Sequence, residues 1–272
     1  MATVGMIGLG EIGGAMTGRL LRRDVTVVGH DVDSARSEKA RELGAEIAES
    51  AGDVARRTEG PILVNVQYLD QVYSVWQDGD GIADHVAGRT VVITGTYGEV
   101  PVQEFAATVA EKGGETLDAP HTGSYPAAES GTLTFFLGGS RAAVESARIA
   151  VDNLGRNIHV IGDRPGLGQV MKLVNAIGLA FNAISICEME KIAEASGVDP
   201  GKAIRWIDEC SASSWLSRRM PDIAKLMVEH NVDNLEKDLR AVLDPCSPTA
   251  GLLPVTAAML EHFRESWLTR SF

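Results

Sequence analysis

The chain is short of several features that would otherwise decide its class. It has three cysteines in 272 residues, Cys187, Cys210 and Cys246, odd in number and far apart. They form no C-x-x-C pair, so neither a disulfide framework nor a zinc site is encoded, and a reducing cytoplasm is the expected compartment. The six histidines show no H-E-x-x-H or similar spacing, and no metal is expected. Positive charge is scarce: 25 Lys+Arg stand against 37 Asp+Glu, a formal net charge of −12. That balance argues against nucleic acid and against an anionic membrane surface as partners. The N-terminus lacks a basic region followed by a long apolar stretch, so no signal peptide is expected. No contiguous apolar run approaches the roughly 18 residues that would span a bilayer. Internal repeats and low-complexity segments are also absent.

What is present is ordinary globular composition, 44% hydrophobic and 23% charged, enough to build a core in one or two domains. In the first half, apolar runs of strand length alternate with helical patterns. The runs are 4–7, 25–30, 61–66, 90–93, 115–118, 132–137 and 158–161. Strands spaced by helices of this length imply a Rossmann-type, doubly wound parallel sheet of class α/β. The pattern changes at Gly162-Asp163-Arg164-Pro165-Gly166, which is turn chemistry. Beyond it the spacing predicts one long helix over 167–195, with Val170, Val174, Ile177, Phe181 and Ile184 as its apolar stripe. Further helices are expected near 199–209, 213–229, 234–244 and 253–267. The domain division expected is therefore 1–163 for the sheet and 164–272 for an all-α domain hung on the bridging helix.

The densest signal lies in Val4-Gly5-Met6-Ile7-Gly8-Leu9-Gly10-Glu11-Ile12-Gly13. A strand runs into G-x-G-x-x-G, and a helical pattern follows. The first glycine permits a tight turn, the second a close backbone approach to a pyrophosphate, and the third close helix–strand packing. The N–H groups of the helix start then face the phosphates, helped by the helix dipole. Asp31 ends the next strand, 18 residues after Gly13, where an acid takes ribose hydroxyls. A carboxylate there repels a 2′-phosphate, so NAD is expected over NADP, with His30 and Arg36 the residues that leave NADP open. The cofactor set expected is Gly8, Leu9, Gly10, Glu11, Ile12, Gly13 and Asp31, joined by Val66 and Gln67.

Three further stretches carry candidate chemistry. Lys172 follows Gly166-Leu167-Gly168 early in the long helix, off the predicted stripe and free to face a cleft; Asn175 lies three residues on, on the same face. Exchange of a hydride between a carbinol and NAD requires a proton to leave or reach the oxygen. A lysine can carry it when desolvation disfavours its charged form. Asp118-Ala119-Pro120-His121-Thr122-Gly123-Ser124 ends a strand and offers two hydroxyls and several N–H groups, donors that suit a carboxylate. From spacing alone an ordinary strand-to-helix turn fits it as well. Glu236-Lys237-Asp238-Leu239 reads by itself as a surface charge run.

Taken in this order, these pieces resemble the β-hydroxyacid dehydrogenase family over nearly the whole chain. Gly8–Gly13 resembles its cofactor turn, Asp118–Ser124 its D-A-P-V-S-G-G motif, Gly166–Asn175 its G-x-G-x-x-x-K-x-x-N motif, and Lys237-Asp238-Leu239 its K-D-L motif. The resemblance implies a Rossmann domain followed by a helical domain. It implies Lys172 as general acid/base with Asn175 beside it, and Thr122, Gly123 and Ser124 gripping a substrate carboxylate. Thr96 matches the turn near the nicotinamide, with Tyr97 as an added donor, and the resemblance implies Thr96 and Lys237 as further cofactor residues, Thr96 also as a substrate residue. Trp215 is counted with the substrate residues.

The chain departs from the pattern at His121, Ser124 and Ala176, where the family has valine, glycine and a second asparagine. An unusual substrate is therefore expected. Imine reduction and a non-catalytic NAD-bound scaffold are the alternatives, the first lowered by Lys172, the second kept open by Ala176. The small helical domain is expected to gain by burial in a homodimer or dimer of dimers, with Trp206, Trp215 and Trp267 at the interface or in the core.

Overall fold

The computed structural model describes residues 3–219 and 232–268. By internal contacts the chain divides into two compact units, Met1–Lys172 and Leu173–Phe272.

The first unit is a single sheet of nine strands: β1 (Thr3–Ile7), β2 (Thr26–His30), β3 (Glu46–Ile47), β4 (Ile62–Val64), β5 (Thr90–Ile93), β6 (Glu115–Asp118), β7 (His121–Thr122), β8 (Leu133–Gly138) and β9 (Gly155–Gly162). Its order is β3-β2-β1-β4-β5-β6-β8-β7, with β9 also paired to β8. The first six strands are parallel. Alternation along them explains the two-sided cover. Val4 and Met6 pack with Leu63, Val92 and Leu117 on one face. Ile7 packs with Ile62, Val64, Val91 and Ile93 on the other. Strands apolar on both faces need helices on both sides. These are α1 (Glu11–Leu21), α2 (Ser34–Glu42), α3 (Ala51–Arg57), α4 (Leu69–Gln77), α5 (Glu99–Glu111), α6 (Ser124–Ser130) and α7 (Arg141–Leu154).

The sheet is not parallel throughout. β8 runs antiparallel to β6 and to β7. Pro120 turns the chain back after β6, and His121–Thr122 pairs with Phe135 and Thr134 instead of entering a crossover helix. The sequence shows strand-forming residues there but not their direction.

The long helix α8 spans Leu167–Ala195, and the division between units falls inside it. Its buried face is shifted from the stripe expected: Ile177, Phe181 and Ile184 pack partly buried against the second unit's core, but the fully buried line runs beside them. Val174 is 56% exposed, whereas Leu173, Ala176, Ala180, Ala183, Ile186 and Cys187 are buried. Alanine reads weakly in a hydrophobic pattern, yet it lets neighbouring helices approach, and here it forms the seam. From Ala176 onward these residues make the second unit's core with Ile204, Leu216, Leu235, Leu239, Met259 and Phe263. Those partners come from α9 (Pro200–Ile207), a short turn at Ser217–Arg219, α10 (Val232–Val242) and α11 (Pro254–Leu268). The helix is also long and apolar enough by composition to cross a bilayer. That corrects the expectation drawn from contiguous runs. Its small apolar residues are explained by the core they fill.

The helix expected at 213–229 is absent where it is described. Residues 213–216 form turns leading into the one-turn 3-10 helix Ser217–Arg219, and the rest of the range lies outside the described residues. Ser214 and Ser217 bond each other's backbone N–H groups, which closes the chain into that turn. Trp206 and Trp215 are 58% and 54% exposed, so neither is a core residue. The side chain of Trp267 lies outside the described residues.

Candidate active site

The chain reverses its winding between β1 and β4, and ligands of open α/β sheets bind outside the carboxyl ends of strands at such a point. Gly8 to Gly13 lie at the end of β1, and Val66 and Gln67 follow β4. The three glycines are glycine for different reasons. Gly8 has φ +93°, and a Cβ there would sit 2.3 Å from the Asn65 carbonyl oxygen. A Cβ on Gly13 would sit 1.9 Å from the Gly8 carbonyl oxygen. Both are imposed by the protein's own packing. A Cβ on Gly10 would meet only the Arg36 Nη1, at 3.6 Å. Nothing in the protein's packing requires glycine there, and the room this leaves fits the close approach of a pyrophosphate that such a turn is built for.

Asp31 is buried at the end of the β2 strand. Its Oδ2 accepts the Leu9 N–H at 2.7 Å and its Oδ1 the Asp33 N–H at 2.9 Å. Each oxygen keeps lone-pair capacity for a ribose hydroxyl. The Arg36 guanidinium lies 3.7 Å from Asp31 and 3.4 Å from Asp33, held between the two carboxylates. An open cleft of about 510 Å³ continues past Asp31, lined among others by His30, Val32, Ser37, Glu38 and Arg41.

At the other end of the sheet the buried carboxylate of Asp118 dominates. Its Oδ2 accepts the N–H groups of Gly166 at 3.0 Å and Gln169 at 2.9 Å, and its Oδ1 accepts Gln169 Nε2 at 2.6 Å. Burial pushes its pKa up to about 7, against the pull of these donors. Gln169, itself fully buried, also donates Nε2 to the Gly95 carbonyl at 3.1 Å. Its Oε1 accepts the N–H groups of Tyr97 at 2.7 Å and Gly98 at 3.2 Å. The Gly166-x-Gly168 pair follows from this arrangement. Gly166 has φ +95°, and a Cβ on Gly168 would lie 2.4 Å from the Phe136 carbonyl and 2.9 Å from Asp118 Oδ2. Thr96 is buried in the bridged turn. The Tyr97 hydroxyl, expected as a donor to ligand, instead donates to the Val66 carbonyl at 2.5 Å. Burial raises its pKa, so it stays protonated.

His121 follows Asp118 by three residues. Its Nδ1 is buried without a hydrogen-bond partner, and its ring meets Phe135 edge-on at 5.7 Å. Desolvation, with the positive charge of Lys172 second, lowers its pKa to about 3, so the imidazole is neutral at physiological pH. Gln169, one turn before Lys172 on α8, bonds Asp118 through its backbone N–H and its amide, which brings the start of that helix to the Asp118–Ser124 motif. Lys172 is half-buried, in the second turn of α8. Next in the motif, Gly123 has φ +132° and a Cβ there would lie 2.5 Å from Ala127 Cβ. Ser124 has φ 59°, a left-handed conformation unusual for serine.

In the second unit, Asn175 is half-buried on α8 and Ala176 is a core residue, 1% exposed. Lys237 Nζ lies 3.0 Å from the buried Asp238 carboxylate. Trp215 is exposed, with the Arg219 guanidinium 4.4 Å above its ring. Sequence reasoning missed Gln169 as a site residue and used Asp118 only as the end of a strand. The available signal was a lone glutamine set between G-x-G and the lysine, too weak to assign.

A six-stranded parallel sheet, a glycine turn that spares room for a dinucleotide and an acid beyond it define a dinucleotide-binding protein. Residues 3–162 match the NAD binding domain of 6-phosphogluconate dehydrogenase. Residues 166–268 match the domain described as NAD-binding of NADP-dependent 3-hydroxyisobutyrate dehydrogenase. Over 216 residues the chain is 31% identical to a probable mitochondrial 3-hydroxyisobutyrate dehydrogenase of Dictyostelium discoideum, covering 79% of this chain and 67% of that protein. Over 274 residues it is 30% identical to the 2-hydroxy-3-oxopropionate reductase of Escherichia coli K12, covering 96% and 89%. A crystal structure of 3-hydroxyisobutyrate dehydrogenase from Salmonella typhimurium matches with TM-score 0.82 at 25% identity, covering 97% of this chain and 94% of that one. The chain belongs to the β-hydroxyacid dehydrogenase family. It is an NAD-dependent oxidoreductase of the dehydrogenase class that acts on CH–OH groups.

Proposed function

We propose that this chain interconverts a small β-hydroxy acid and its semialdehyde or ketone. The chemistry contributed by bound NAD is exchange of a hydride at the carbinol carbon. Gly8 to Gly13 hold its pyrophosphate and Asp31 its ribose. The Lys172 amine takes the hydroxyl proton as the carbonyl forms and returns it in the reverse direction. Thr122 and Ser124, with the N–H groups of their turn, hold the substrate carboxylate by neutral donors, which a net-negative protein requires of any anion site. Asn175, one helical turn further on, is the second proposed member beside Lys172. The observation that carries this reading is the bonding of Gln169, one turn before Lys172 on α8, to Asp118 at the head of the Asp118–Ser124 motif.

Lys172→Ala is expected to lower kcat by about 10²–10⁴-fold, the usual contribution of a positioned acid–base group. Affinity for NAD, read by fluorescence titration, should be unchanged. Normal turnover by the variant on its best hydroxy acid retires the assignment. The substrate itself comes from a panel of short hydroxy acids with NAD and NADP, followed by absorbance of the reduced cofactor. The roles proposed for Lys237 in cofactor binding and Trp215 in substrate binding predict raised KM values for NAD and acid, respectively, in their alanine variants.

The proposed working form is a cytoplasmic homodimer or dimer of dimers. Support comes from Ile192 at 69% and Trp206 at 58% exposure, which burial against a second copy would remove from water. Sedimentation showing only monomer at micromolar concentration overturns it.

A further inference from the structure

We infer that Asp118 and Gln169 are positioning residues, a buried pair that fastens the Gly95–Gly98 turn to the start of α8, one turn before Lys172. The inference rests on the proposed role of Lys172, but the bonds that carry it lie within the first unit.

α8 starts without a Ser, Thr, Asp or Asn immediately before it; Pro165-Gly166 precede Leu167. The N–H groups at a helix start need an acceptor. Asp118 supplies it from the end of β6, 48 residues away from Gly166 and 51 from Gln169. The same carboxylate fixes which way the Gln169 amide faces. Oδ1 can only accept, so Nε2 must face it, and Oε1 must face the N–H groups of Tyr97 and Gly98. A flipped amide would set its oxygen against the carboxylate and the Gly95 carbonyl, and its nitrogen against two N–H donors. All four hydrogen-bonding positions of the glutamine are thus spoken for. Gly166 and Gly168 are the backbone cost of bringing the helix start this close to Asp118. A glutamine that served only to fill space would not need matched polarity on both sides, and a lysine one turn along the same helix inherits whatever rigidity the pair provides.

The polarity can be exchanged, which gives the test. In Gln169→Glu two buried carboxyl groups face each other and take up a shared proton, so the contact survives only below the pH at which the pair releases it. In Asp118→Asn either amide orientation sets a donor against a donor. In the double variant the amide introduced at position 118 donates its N–H to the carboxylate introduced at position 169. The oxygen of that amide keeps the two helix-start N–H groups, and the new carboxylate still accepts from Tyr97 and Gly98. Only the bond to the Gly95 carbonyl is lost. Assayed above pH 7, where Asp118 is ionised, each single variant is expected to lose about 30-fold or more in kcat. A slight misplacement of a reacting group can cost this much. KM for NAD should stay within about threefold, and the double variant should regain at least about tenfold over the weaker single, the mark of direct coupling. Losses that simply multiply in the double variant, wild-type kcat in Asp118→Asn, or an effect confined to KM for NAD each overturn the inference.

If a single variant is not obtained folded, thermal midpoints replace kcat: a folded, soluble double variant supports the pair, and one as unstable as its parents overturns it. Amide exchange separates this failure from that of the functional reading. In the wild type the Tyr97 and Gly98 amides should exchange slowly, and in Gln169→Ala faster, whatever Lys172→Ala does to turnover. Unchanged exchange in Gln169→Ala overturns the pair.

Discussion

Two aspartates end parallel strands of one sheet, and their surroundings set them to opposite tasks. Asp31 closes β2 and takes N–H groups from its own neighbourhood: Leu9 on the adjoining turn and Asp33 two residues on. It lies beside an open cleft. Asp118 closes β6, is sealed from solvent, and takes N–H groups from a helix that begins some fifty residues later. The first carboxylate retains acceptor capacity for a ligand. The second gives its capacity to the protein, and what it offers to function is a fixed geometry. The same residue type at the same kind of strand end is thus left beside an open cleft in one place and bonded wholly to the protein in the other, depending on what is packed over it.

The glycines allow the largest break of this comparison. Gly13→Ala sets a Cβ on the Gly8 carbonyl oxygen, backbone against backbone, and should destabilise the apoprotein by about 3 kcal/mol or more, in the range of severe packing defects. Gly10→Ala meets no protein atom nearer than 3.6 Å. Its apo stability should stay within about 1 kcal/mol, while NAD affinity falls by about tenfold or more, since about 1.4 kcal/mol of lost contact is a factor of ten. Chemical denaturation and NAD titration of the two variants read both effects. A Gly10→Ala protein with unaltered NAD affinity would show that no pyrophosphate approaches there.

A smaller effect concerns acid. Asp118, with its pKa raised from 3.8 to about 7, holds a proton in the folded state that the unfolded chain has released. Its contribution to stability is greatest at low pH and is lost as pH rises through 7. His121, lowered from 6.5 to about 3, is neutral when folded. Its contribution is full above 6.5 and is lost as pH falls. The two slopes oppose each other between about pH 4 and 6.5, so the wild type should show a shallow acid profile. Replacing His121 with valine should flatten the acid loss further, by on the order of 2 kcal/mol at pH 4, since a tenfold change in proton affinity corresponds to about 1.4 kcal/mol. Asp118→Asn should steepen it. Thermal midpoints from pH 4 to 8 test this, and parallel profiles for all three proteins would refute it.

The smallest effect sits at Ser124, whose φ of 59° strains a serine but not a glycine. Ser124→Gly should stabilise the protein by about 1 kcal/mol, the scale of the left-handed penalty. A loss of stability would show that the hydroxyl makes up for its backbone.

The two regions also differ in how far they can be read before the fold is known. The cofactor turn is local: strand, glycines and helix are contiguous, and Asp31 follows at a spacing fixed by one β-α-β unit. Five of the first six strands are legible for the same reason, since alternation and turn residues act over short distances; β3, only two residues long, and α3 after it are too short to give a pattern. The antiparallel return of β7 and β8 is not legible, because strand propensity carries no direction. The buried face of α8 is legible only in part: Ile177, Phe181 and Ile184 flank the core as the spacing predicts, but its centre is alanine, which gives little hydropathy yet permits close helix packing, and Val174 fits the stripe by spacing and stands 56% exposed. Gln169 escapes the pattern because each of its partners on the turn lies more than seventy residues away.

By itself the sequence determined most strands and helices of the first unit, the glycine turn with its acid, and the presence of a lysine early in the long helix, because each depends on residues near one another in the chain. Only the tertiary structure decided that Asp118 is sealed and Asp31 is not, and that one glutamine joins a turn to a helix. Burial and hydrogen-bond matching are properties of what surrounds a residue, and those surroundings are assembled from distant parts of the chain.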